Sequence, residues 1–309
     1  MRWAALIVCL LVLSPATGKA ASFDCEKAKT ALERTICGDD YLSSLDIEVA
    51  RFYRTAEARP DLLAEQRQWN KDNAGQCFPA DDKAAKKCLT QRYEERRLAL
   101  LDVVRREALA KAPETSTGPY SFKLVAFHLS DSNNFSYAVL SKQPAEIADA
   151  FNALVVPPDK QFLDLCEEQS DEVRVETATD RMVTVRKDFW MYCQGAAHGY
   201  GVSAGNTIMM RPKPHLIEAR DLFRPGSPWQ ERLAEQCVHN VKAERSLDTR
   251  QEEEVRELAI DPRNWVVTPE TLNINLGNLD GSALPMVDVD VAWKHLDGLL
   301  LDDLPFTPQ

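Results

Sequence analysis

Lys111-Ala-Pro-Glu-Thr-Ser-Thr-Gly118, followed by Tyr120-Ser-Phe-Lys-Leu-Val-Ala-Phe-His-Leu129, is where the chain changes character. The first segment is short and polar and contains Pro and Gly, the composition of a linker. The second opens a series of short apolar runs of the kind that form strands. Upstream of it, apolar residues recur at helical spacing and there is no strand signal. Downstream, strands outnumber helices, which indicates an antiparallel α+β fold. The predicted fold class is therefore α+β. A small disulfide-stapled all-α domain spans residues 22–111, a linker spans 112–118, and an α+β domain with a mainly antiparallel sheet spans 119–309. The length of 309 residues agrees with roughly two domains at about 150 residues each.

In the first part, Thr30-Ala-Leu-Glu33 is a capping box, which predicts a short helix from Thr30 to about Cys37. Asp39 or Asp40 can cap the next helix, in which Leu42, Leu45, Val49, Phe52 and Ala56 share one face. Pro60 ends that run and can start another, carrying Leu62, Leu63, Gln66 and Trp69. Ala74-Gly75 break the pattern. A long helix is predicted from about Asp82 to Lys111.

Cys25, Cys37, Cys77 and Cys88 bracket these helices. A continuous helix from Cys25 to Cys37 would separate them by about 18 Å at 1.5 Å rise per residue, too far for a bridge. A helix beginning at Thr30 lets the preceding segment fold back. This favours Cys25–Cys37 and Cys77–Cys88, with crossed pairing as the alternative.

Phe23-Asp24-Cys25, Thr30-x-x-Glu33-x-x-Ile36-Cys37, Leu42-x-x-Leu45-Asp46, Leu63-x-x-Gln66-Arg67-x-Trp69, and then Cys77 and Cys88, resemble the N-terminal domain of the lysozyme inhibitor LprI family over residues 22–105. The resemblance implies an exported helical domain with paired cysteines and a connection to lysozyme inhibition.

In the second part, Tyr120–Leu129, Phe135–Leu140 and Glu172–Thr177 are predicted strands, and Arg181–Cys193 a longer strand or hairpin. Pro144–Leu154 and Trp229–Val241 are predicted helices. Trp265–Thr268, Thr271–Leu276 and Met286–Val291 are three further strands. Tyr192-Cys193-x-Gly195-Ala-Ala-His198, then Asn206, Leu216 and Asp221-Leu222-Phe223, look like the core of the RsiV-like C-terminal domain, with coverage of about residues 120–300. That resemblance also implies lysozyme binding. The glycines of Gly195-Ala-Ala-His198-Gly-Tyr200-Gly predict a loop with positive φ angles, and the loop Gly195–Asn206 is the predicted partner contact.

Residues 1–20 read as a secretory signal peptide. Arg2 is the basic start, Trp3–Leu13 the apolar run, and Gly18 and Ala20 the small residues before cleavage after Ala20. The run is shorter than the roughly 20 apolar residues that span a bilayer. No membrane span is expected after cleavage, and the predicted location is periplasmic or secreted.

The charge is asymmetric. Residues 22–112 hold 17 Lys+Arg and 17 Asp+Glu, whereas residues 113–309 hold 18 and 31, a net −13. The acidity argues against a nucleic-acid binder and is complementary to a basic protein partner.

Other chemistries fare poorly. Gly201-Val-Ser203-Ala-Gly205 matches the G-x-S-x-G elbow of serine hydrolases, which needs a strand before and a helix after. Here a glycine-rich loop precedes and Asn206–Met210 follows as a predicted strand. His198 either hydrogen-bonds its own loop or joins Tyr200 at a contact surface. No cysteine pair has the tight spacing of a zinc site, and His215 and His239 form no i,i+4 pair. Glu252-Glu253-Glu254, Asp302-Asp303, Glu167-Glu168 and Asp171-Glu172 are acidic runs, too common here to single out a glycosidase pair. Among Cys166, Cys193 and Cys237 one disulfide can form, with the pair left open.

The resulting expectation is a non-catalytic exported protein that binds a basic lysozyme-type cell-wall hydrolase, with inhibition left to an activity assay. It has no cofactor, no metal and no catalytic residue. Gly195, His198, Tyr200, Ser203 and Asn206 are the candidate contact residues. The alternatives are an envelope hydrolase using Ser203 and a structural envelope module without lysozyme contact.

Overall fold

The computed structural model describes residues 21–56, 60–78, 82–163, 166–193, 195–277 and 287–308. The predicted signal peptide and Met286 lie outside them. The described residues divide into two compact units between Leu100 and Leu101.

The first unit is all helical. Helix α1 (Ala31–Cys37) begins at the predicted capping box: Glu33 N–H donates to the Thr30 hydroxyl at 3.1 Å, and Thr30 N–H to the Glu33 carboxylate at 2.8 Å. Helix α2 (Asp40–Thr55) is capped by Asp39, which accepts the Leu42 N–H at 2.8 Å. Its Leu42, Leu45, Val49 and Phe52 are buried. Helices α3 (Pro60–Cys77) and α4 (Asp82–Lys111) follow, α4 continuing into the second unit. The disulfides are Cys25–Cys37 and Cys77–Cys88, with Cα separations of 5.7 and 5.6 Å. Both close over a local turn, and crossed pairing is excluded.

Ala74-Gly75 do not end α3. Asn73, fully buried, accepts from Arg92 on α4, and Arg92 also donates to Gln76 at 2.8 Å. Together with the Cys77–Cys88 bond, these contacts outweigh the roughly 1 kcal/mol that a glycine costs a helix.

The α3–α4 seam is polar. Arg96 donates to Gln66 at 2.9 Å and lies 5.9 Å from the Trp69 ring, which meets Tyr93 edge-on at 4.8 Å. Between α2 and α4, Arg97 and Glu48 form a buried ion pair at 2.9 Å. Such groups are stable inside a protein only when paired.

The second unit carries a seven-stranded sheet in sequential order: β1 (Glu114–Thr117), β2 (Tyr120–Ser130), β3 (Asn133–Ser141), β4 (Glu168–Ala178), β5 (Met182–Tyr192), β6 (Tyr200–Met209) and β7 (His215–Leu216). Every pair is antiparallel except β3 with β4. Helix α5 (Ala145–Val155) connects those two parallel strands. Helices α6 (Trp229–Glu244) and α7 (Thr249–Ala259) precede a three-stranded antiparallel sheet of β8 (Trp265–Val267), β9 (Thr271–Asn275) and β10 (Asp288–Ala292). The α+β class and its mainly antiparallel sheet are as the sequence indicates.

Two local readings change. The linker residues 112–118 hold β1, because the β-branched Thr115 and Thr117 pair with Phe122 and Tyr120. Residues 200–206 are strand rather than loop.

The two sheets meet along β5, β6 and β8. The buried Thr184 hydroxyl donates to Val267 O at 2.8 Å, and Val267 N–H donates to the Thr207 hydroxyl at 2.8 Å. Gly205 allows this approach, since a Cβ there would lie 2.5 Å from Val266 Cγ2 and 3.0 Å from Val185 O. Gly205→Ala is expected to cost about 1–3 kcal/mol through overpacking. It should appear as a lower midpoint for the transition that melts this unit. An unchanged midpoint would mean that β8 shifts freely.

Candidate functional site: an aromatic and acidic face on the β5–β6 hairpin

Strands β5 and β6 pair from Met182↔Met209 to Met191↔Tyr200. Near Met182 and Met209 they are buried in the core shared with Trp265 and Leu272. From Arg186 outward β5 is only half buried, so the hairpin extends beyond the core.

Strand alternation decides what this projection presents. Arg186, Asp188, Trp190 and Tyr192 share one face. Cross-strand register adds Gly201 and Ser203 from β6, and Glu168, Ser170, Glu172 and Arg174 from β4. Trp190 is 44% exposed. Its ring lies across two glycines: a Cβ on Gly199 would fall 2.2 Å from Trp190 Cζ2, and one on Gly201 3.0 Å from Cε3. The glycines are there for close approach of the indole, and of the predicted loop glycines only Gly195 has positive φ, at 87°.

Charges surround the ring. Asp188 pairs with Arg174 and accepts the Ser203 hydroxyl at 2.6 Å. Arg186 donates to Glu176 at 2.7 Å and to Ser203 at 3.4 Å. Glu168 and Glu172 are exposed, and Arg174 reaches Glu172 only at 3.9 Å. Burial lifts the Asp288 carboxyl above its ordinary value, against the pull of Arg186. Asp171 is buried and does not contribute to the acidic surface.

A third disulfide, Cys166–Cys193, joins the start of β4 to the end of β5 beside the Glu168↔Tyr192 pair. Antiparallel register makes this pair, which sequence left open. Cys237 is a free thiol in α6, and burial pushes its pKa up to about 12. It is therefore poorly disposed to form the reactive thiolate.

The five candidate residues do not form one surface. Gly195 and His198 lie in the connection between β5 and β6, where His198 Nδ1–H donates to Gly199 O at 3.0 Å. Tyr200, 50% exposed, starts β6 on the face opposite Trp190. Asn206 shares the Tyr200 face further into the sheet, opposite Val185. Ser203 is on the Trp190 face, held by Asp188 and Arg186. The Gly201–Gly205 motif runs inside one continuous strand, without the strand-to-helix turn that a nucleophile elbow needs.

Trp190 is the residue that sequence reasoning missed. Its signal was an aromatic at an outward position of an alternating run, next to a Gly-x-Gly segment. Only the strand register shows the two to be paired.

Among the described residues, no group of three or more His, Cys, Asp or Glu is arranged to hold a metal ion, and no helix is long and apolar enough to cross a membrane.

No protein-family profile matches the chain, and no curated protein matches it significantly. Two solved structures of DUF3298 family proteins are similar. One, from Bacteroides fragilis, is 13% identical with a TM-score of 0.41, covering 61% of this chain and 96% of its own. The other, from Pseudomonas aeruginosa, is 16% identical with a TM-score of 0.37, covering 64% and 98%. By name they are neither LprI-type nor RsiV-type proteins.

Proposed function

We propose that the chain is exported with residues 1–20 removed and acts, without catalysis, by capturing a basic lysozyme-type cell-wall hydrolase. The observation that carries this reading is Trp190, half exposed on a projecting hairpin with Asp188, Glu168 and Glu172 on the same face. An indole face flanked by carboxylates suits a guanidinium or ammonium group. Such a cation–π contact is worth about 0.5–2 kcal/mol, more when water is excluded.

The net −13 of residues 113–309 adds long-range attraction for a basic partner. Inhibition follows when this face covers the partner's polysaccharide-binding cleft. Three disulfides fit an oxidising compartment, periplasmic or extracellular.

Calorimetric titration of the whole mature chain with a basic lysozyme tests the reading, with bacterial cell-wall lysis assayed in parallel. Submicromolar binding that blocks lysis is expected. Absence of binding with the disulfides intact would leave a structural envelope module as the better description. Association should also slow steeply as salt rises, because the screening length falls from about 30 Å at 0.01 M to about 8 Å at 0.15 M. A rate flat across that range would remove electrostatic steering from the mechanism.

A further inference from the structure

Ala21, the first described residue, is 1% exposed. The next backbone N–H, that of Ser22, donates to Asp46 Oδ2 at 2.8 Å. Asp46 belongs to α2 and is itself only 8% exposed. Its other oxygen accepts the Tyr93 hydroxyl at 3.1 Å from α4. Burial, reinforced by this carboxylate, pushes the Tyr93 phenol well above its ordinary value. Both Asp46 partners are neutral donors. The neighbouring buried carboxylate, Glu48, has Arg97, but among the described residues no cation pairs with Asp46. A buried carboxylate without a counter-charge is costly.

We propose that the cation for Asp46 is the amino terminus of the mature protein, produced by hydrolysis of the Ala20–Ala21 bond. This rests on the export reading above. A leader peptidase adds water across that amide. The C–N bond breaks, Ala20 leaves as a carboxylate, and Ala21 keeps the nitrogen as an ammonium. That nitrogen is one residue from the Ser22 N–H already on Asp46, within about 3.8 Å along the chain.

The new charge therefore forms next to the Ser22 N–H that donates to Asp46, whose other oxygen accepts the Tyr93 hydroxyl of α4. While the leader remains, the same nitrogen is a neutral amide and brings no charge to Asp46. Processing thereby completes the fold of the helical unit.

The test uses the chain from Ala21 to Gln309, with and without a Gly-Ser extension ahead of Ala21, each also as Asp46→Asn. The α-amino pKa is read from the pH dependence of its acylation, by mass spectrometry of the N-terminal peptide. Protection of α2 amides is read by hydrogen exchange. The pKa is expected to lie at least about one unit above the usual 7.7–8.0 and to fall back in Asp46→Asn. The extension is expected to cost α2 about tenfold in protection, the equivalent of one pK unit, and little once Asp46 is Asn.

An unshifted α-amino group on the folded chain overturns the proposal, as does an extension penalty equal in both backgrounds. If Asp46→Asn fails to fold, the acylation curve of the unsubstituted chain still decides. The export reading fails separately, if protein recovered from cells keeps residues 1–20.

Discussion

Trp190→Ala is expected to weaken lysozyme binding by about 30-fold or more, the roughly 2 kcal/mol typical of a central aromatic anchor. The indole supplies the apolar platform, and the carboxylates around it supply charge that an isolated aromatic would lack. Removing the ring leaves Gly199 and Gly201 with nothing above them and opens the face to water. The fold should tolerate the change, because Trp190 is 44% exposed and lies beyond the core.

Trp190→Phe keeps a ring and should retain most of the affinity. Leu124, also exposed at 40%, lies on β2 away from the hairpin, and Leu124→Ala should leave binding unchanged. Calorimetry on the three variants separates the cases. Native affinity in Trp190→Ala would remove the hairpin from the interface. Equal losses in all three would point to a general effect on folding.

Arg97→Ala carries a large expected stability cost, about 1.5–3 kcal/mol, because it removes the guanidinium hydrogen-bonded to the buried Glu48 carboxylate. The pair is 2.9 Å apart, with side chains 11% and 7% exposed. Glu48 keeps its interaction with Arg51 but loses the direct hydrogen bond that offset its burial. The double substitution Arg97→Leu with Glu48→Leu should therefore recover most of the stability, and denaturant unfolding of the helical unit measures both. A single variant within about 1 kcal/mol of the native chain would show that Glu48 reaches water or takes up a proton at little cost.

The parts of the fold legible in the sequence are those set within a few residues. Thr30 and Glu33 cap α1 because both partners lie in the same turn. Asp39 caps α2 for the same reason. Cys25–Cys37 and Cys77–Cys88 close over short stretches, so helix boundaries nearly determine them. The strand runs of the second unit are visible because alternation repeats every two residues.

Longer-range features were not legible. Ala74-Gly75 look like a stop, yet α3 runs through them because α4 holds Asn73, Gln76 and Cys77. The glycines near His198 look like loop residues, yet they make room for Trp190 and Val266.

The sequence by itself determined the all-helical first part, the cysteine staples, the strand-rich second part and the concentration of negative charge there. Each is set by composition or by neighbours within one turn or one strand. Only the tertiary structure decided the third disulfide, the pairing of Arg97 with Glu48, and the placing of Trp190 over Gly199 and Gly201 among carboxylates of β4 and β5. Those depend on register and packing between residues 9 to 49 positions apart. A shift of one residue along β5 would turn Trp190 and Asp188 to the other face.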